Sequence, residues 1–84
     1  GYIMEQYKVL LRLLTQTRQA HDYAQMAVNN IATGNAIMET FRKAEVKLQY
    51  ELHQEYKRMT DEQLAEADEY VKSGEYQKPK AIVT

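Results

Sequence analysis

Two histidines, His21 and His53, are the only imidazoles available for acid–base or metal chemistry, and no cysteine offers a nucleophile or thiolate ligand. Glu51 precedes His53 by two residues, which on a helix turns the two side chains about 200° apart. A carboxylate metal site built on helices uses Glu-x-x-His, with both groups on one face. Glu51 and Glu55 could meet their symmetry mates across a dimer axis, but carboxylates without an imidazole partner read as solvated surface. There is no His-Glu-x-x-His, no aspartate-rich calcium loop and no glycine-rich phosphate loop. The residues therefore predict a non-enzyme with no metal and no cofactor. His21 falls on an apolar seam beside Thr17 and Ala24, where a polar residue fixes register or oligomeric state; a pH switch or metal ligand is the competing reading.

Charge offers a second kind of chemistry. Arg42, Lys43 and Lys47 form a basic group on the second helix, with Glu39 and Glu45 beside them. Residues 1–60 carry eight basic and six acidic side chains, whereas residues 61–76 carry one against six, and the whole chain is at −1. No global surplus draws it to nucleic acid. A helix-turn-helix reader also wants two short helices at a steep angle, not two long ones. A salt-bridged solvent face is the leading expectation for these cations, and a nucleic-acid-associated regulator using Arg42, Lys43 and Lys47 is the alternative function.

Seven tyrosines stand against one phenylalanine and no tryptophan. Val46, Tyr50 and His53 share a face of the second helix turned away from the first. That patch either receives the third helix or binds a partner, for which tyrosine suits because it gives a large contact at small entropy cost. Tyr70 and Tyr76 flank the acidic third helix and are further candidate anchors. Tyr7 and Tyr56 fall on the apolar stripes and are expected in the core.

These side chains must be positioned by helices. From Ile3, apolar or small residues recur at Tyr7, Leu10, Leu14, Thr17, His21, Ala24, Val28 and Ile31, in steps alternating four and three. That 3.5-residue period predicts one long coiled-coil helix from Ile3 to Thr33, roughly 45 Å at 1.5 Å per residue. Gly34 is expected to close it and Asn35 to cap a second helix over Ala36–Met59, giving an antiparallel hairpin. Thr60-Asp61-Glu62-Gln63 has the spacing of a capping box, so a short third helix follows, with Leu64, Ala67 and Val71 buried and Gly74 ending it. Residues 75–84 read as an extended tail, with Ala81–Thr84 suited to strand addition on a partner.

The first helix is apolar over more than one stripe. Beside the seam of Leu10, Leu14, His21 and Val28 lie Val9, Leu13, Ala20, Tyr23 and Ala27 on one flank, and Met4 and Leu11 on the other. One neighbour covers one seam, and a core below about 80 residues supplies only a few kcal/mol. The fold expected is therefore all-α: a long antiparallel helical hairpin plus a short third helix (residues 1–74), assembling as a dimeric helical bundle with Leu13 in the dimer seam. A kinked monomeric three-helix bundle is the alternative. The function expected is a non-enzymatic protein–protein interaction module, a small adaptor or regulator that acts as a homodimer on another protein. With no apolar run near the ~20 residues that span a bilayer and no leader-like segment, a cytoplasmic chain without membrane contact is expected.

Overall fold

This computed structural model describes residues 2–27 and 31–77. Val28 of the expected seam and the tail from Lys78 to Thr84, including its strand-prone end, lie outside the described residues. Within them the chain is all-helical, with three α-helices, a 3₁₀ turn and no strand. Helix α1 spans Tyr2–Ala27, α2 spans Ile31–Lys57 and α3 spans Asp61–Ser73.

α1 is continuous through Thr17, where a kink was the alternative. Thr15 and Thr17 donate their hydroxyls to the Leu11 and Leu13 carbonyls one turn back, at 2.9 and 2.8 Å, so neither competes with the helix for its own amides. The boundary between the first two helices differs from the expected one. Residues 31–33, expected at the end of the first helix, open α2, which begins at Ile31 and carries Gly34 inside its opening turns instead of stopping there. A glycine within a helix costs only about 1 kcal/mol relative to alanine, a small fraction of what a 27-residue helix gains along its length. α2 also stops two residues early, leaving Met59 outside the helix but buried against α1 and α3.

The third helix matches its sequence signals. The Gln63 amide donates to Thr60 Oγ1 at 3.2 Å and the Thr60 amide donates to Gln63 Oε1 at 2.9 Å, a closed capping box. At the other end Gly74 takes the left-handed conformation, with φ +71°, and its N–H donates to the Val71 carbonyl. Thr60→Ala is expected to lower the unfolding free energy by about 1 kcal/mol, read as a lower urea midpoint, and Thr60→Ser to leave it near the wild-type value.

Packing is thin. The buried hydrophobic residues are Met4, Leu10, Leu14, Met59 and Ala67. Met4, Met59 and Ala67 form one cluster with Ile3, Tyr7 and Leu64 around it, so α3 sits on the first turns of α1 and on the end of α2. Farther along, the His21 ring stacks on Phe41. Two expectations for the core are corrected. Val71 is 40% exposed, because α3 meets the rest through Leu64 and Ala67 and its last turn runs past the cluster. Tyr56 is likewise exposed, and Tyr7 is half-buried. Residues 75–77 form a 3₁₀ turn instead of an extended strand, held where Arg12 Nη2 donates to the Glu75 carbonyl at 3.1 Å.

The molecule measures 48 × 33 × 21 Å, and its least dimension is two helix diameters. Its accessible surface is 6464 Å². A layer two helices thick leaves its broad faces to solvent or to another molecule.

Candidate interaction surface

The expected surplus on α1 is uncovered. Tyr2, Gln6, Val9, Leu13, Gln16, Ala20, Tyr23 and Ala27 follow one another in steps of four and three. They lie within about 50° of one line on the helix and run for ~38 Å without a charged side chain. All but Gln6 are exposed; Val9 is 52% and Tyr23 77% open. Of the seam residues, Leu10 and Leu14 are buried and His21 is half-buried, while Leu13 belongs to this exposed lane. Met4, on the opposite flank, is covered by Met59 and Ala67, and Leu11 is half-covered.

Along one edge of the lane, Lys8, Val9, Arg12, Leu13, Gln16 and Tyr70 line an open groove between α1 and α3. Lys8 Nζ stands 5.1 Å from the centroid of the Tyr70 ring, and Tyr70 and Tyr76 lie 6.2 Å apart with their rings tilted at 45°. These two tyrosines hold the 3₁₀ turn to α3 and α1, so they are less free to anchor a partner than their positions in the sequence imply. The Lys8–Tyr70 contact was legible only as a Lys8/Arg12 pair one turn apart beside apolar residues.

A second surface lies on the outer side of α2. Val46 and Tyr50 are 55% and 64% exposed, because α3 docks on α1 and leaves this patch open. His53 is exposed on the same face. Arg42, Lys43 and Lys47 border Val46 and Tyr50 in one shallow hollow. The cations are partly neutralised: Arg42 makes a forked contact to Glu39, the shortest at 2.8 Å, and Lys43 lies 3.9 Å from the same carboxylate. The hydrogen bonds from Arg42 hold the Glu39 carboxyl below the usual carboxylate range and push the guanidinium up. Lys47 has no ion pair among the described residues.

His21 is occupied within the helix pair. Its ring stacks on Phe41 at 5.2 Å and 6°, and Nδ1 lies 3.5 Å from Glu45 Oε1. His21 Nε2 and Glu55 Oε2 are buried without a hydrogen-bond partner. Glu55 Oε1 faces Arg58 at 3.5 Å, and Glu51 is half-buried. Among the described residues no three His, Asp or Glu side chains converge to hold a metal ion, and no helix is long and apolar enough to cross a membrane. No family model, curated protein or solved structure matches this chain. Its function has to be argued from its surfaces.

Tyr7 reports on the junction of α1, α2 and α3. Burial first, then the neighbouring Tyr56, Asp68 and Tyr76, raises its phenol above the ordinary value. A raised folded-state pKa contributes stability that is complete below the unfolded value near 10.0 and is lost as pH rises through the folded one. One of the seven tyrosines is therefore expected to ionise late in a spectroscopic titration of the phenolates. Tyr7→Phe removes that late step and makes the fold less sensitive to alkali.

Proposed function

We propose that this chain is a non-enzymatic protein–protein interaction module that works as a homodimer, burying the lane of α1 and offering the Val46–Tyr50–His53 patch to another protein. The uncovered lane carries the reading: ~38 Å of uncharged heptad surface on a fold with so small a core is a surface made to be covered. The α1–α2 pair is read as an antiparallel hairpin. Contacts of His21 with Phe41 and Glu45, and of Met4 with Met59, support it, because the sequence numbers rise along one helix as they fall along the other. In this reading His21 is a polar layer inside the hairpin and not a ligand.

The test is absolute mass by light scattering over a concentration series. A species of about 20 kDa, twice the 9.8 kDa chain, is expected; a 10 kDa species at every concentration overturns the homodimer. The nucleic-acid reading through Arg42, Lys43 and Lys47 draws less support, since Glu39 pairs with Arg42 and lies near Lys43, offsetting one of the three charges.

A further inference from the structure

The face of the α1–α2 pair that points away from α3 has a pattern that complements itself. Met4, clustered with Met59 and Ala67, and Lys8, 5.1 Å from the centroid of the Tyr70 ring, mark the α3 side of α1, and Tyr56, a neighbour of Tyr7, marks it on α2. Counting about 100° per residue, the lane of α1 turns to the opposite side, and so does a line on α2 made of Thr40, Lys43, Lys47, Glu51 and Gln54. The His21–Phe41 and His21–Glu45 contacts and the Met4–Met59 cluster set the level of one helix against the other. By that register Gln16 on α1 stands level with Lys47 on α2.

We propose that a second copy of this chain covers this face in antiparallel register, on a twofold axis passing at the level of Gln16 and Lys47. The inference rests on the homodimer reading above and adds to it the direction and the register. About that axis, Leu13 of one copy meets Ala20 of the other and Val9 meets Tyr23, so a large side chain stands opposite a smaller one in each layer. Gln16 meets its own mate, where two amides can donate and accept reciprocally. On α2 the same axis sets Lys43 of one copy against Glu51 of the other, twice, with Lys47 within a helical turn of that carboxylate. A parallel pairing of α1 instead stacks Tyr23 on Tyr23 and leaves Ala20 on Ala20 as a gap, and its axis, running along the helices, carries the two α2 lines to opposite sides, where Lys43 and Glu51 find no mate. Charge and size therefore both select the antiparallel arrangement. Val46 and Tyr50 lie on the outer side of α2 and stay open, once on each edge of the dimer.

The chain has no cysteine, so single-cysteine variants of the full chain report contacts cleanly. Under mild oxidation Gln16→Cys is expected to form a covalent dimer alone. Leu13→Cys and Ala20→Cys are each expected to stay uncrosslinked alone and to join when mixed, the mixed product being identified by mass. Self-crosslinking of Leu13→Cys and Ala20→Cys signals parallel helices and overturns the register while leaving the homodimer standing. A 20 kDa species with no crosslink at any of these positions overturns the face in the same way. A 10 kDa chain overturns both readings. Charge exchange supplies a second measure independent of disulfide geometry: Lys43→Glu is expected to weaken dimerisation about tenfold, and the double variant Lys43→Glu/Glu51→Lys to recover it. Failure of that rescue removes the Lys43–Glu51 pairing and with it the register.

Discussion

Replacing Met4 by alanine is expected to cost about 2–5 kcal/mol of stability, the range for truncating a buried methionine, and to bring the urea midpoint down accordingly. Met4 is 2% exposed and touches both Met59, beyond the end of α2, and Ala67, which is 0% exposed at the centre of α3. It is the side chain through which α1 meets α3 and the link that follows α2. A domain with so few buried residues has only a few kcal/mol to lose, so the variant leaves α3 without a seat and approaches global unfolding. Met4→Leu conserves volume and is expected to cost less than about 1.5 kcal/mol. Met26→Ala is the internal control: at 86% exposure its removal should move stability by no more than about 0.5 kcal/mol. Equal losses at Met4 and Met26 would mean that the cluster does not hold the helices together.

The sequence made some of this architecture visible and concealed the rest for physical reasons. Helix α3 could be delimited to the residue because both of its ends are written in local chemistry: Thr60 with Gln63 at one end, and a glycine that only has to turn left-handed at the other. The break between α1 and α2 could not. Gly34 looked like the stop, but a glycine costs a helix only about 1 kcal/mol, which one long helix tolerates, and α2 runs through it. The exposed flank of Val9, Leu13, Ala20 and Tyr23 was readable from period alone, since a helix can hide one stripe against one neighbour. Where α3 would settle was not readable: the patch at Val46 and Tyr50 and the first turns of α1 both offered apolar contact, and Met59, just outside α2, tips the balance toward Met4. Tyr70 and Tyr76 were legible as surface aromatics but not as partners of Lys8 and of each other, because those contacts join residues more than sixty positions apart or across a turn.

Leu13→Glu is expected to abolish dimerisation at micromolar concentration while leaving the helices intact. Leu13 is 44% exposed in the single chain, and glutamate and leucine have similar helix propensity, so the monomer has little reason to unfold. In the proposed dimer the same side chain lies near the middle of the lane, where truncation of a central apolar contact costs about 2 kcal/mol or more and a buried unpaired carboxylate adds to that. The dissociation constant should rise at least about thirtyfold, with the far-ultraviolet circular dichroism unchanged. Leu14, the next residue, makes the contrast. It is 4% exposed against α2, so Leu14→Glu should lose the helical signal itself. Two adjacent leucines thus separate what folds the chain from what the proposed dimer would use to assemble. If Leu13→Glu still sediments as a dimer of wild-type affinity, the lane of α1 is not where the copies meet, and a different occupant must be sought for it.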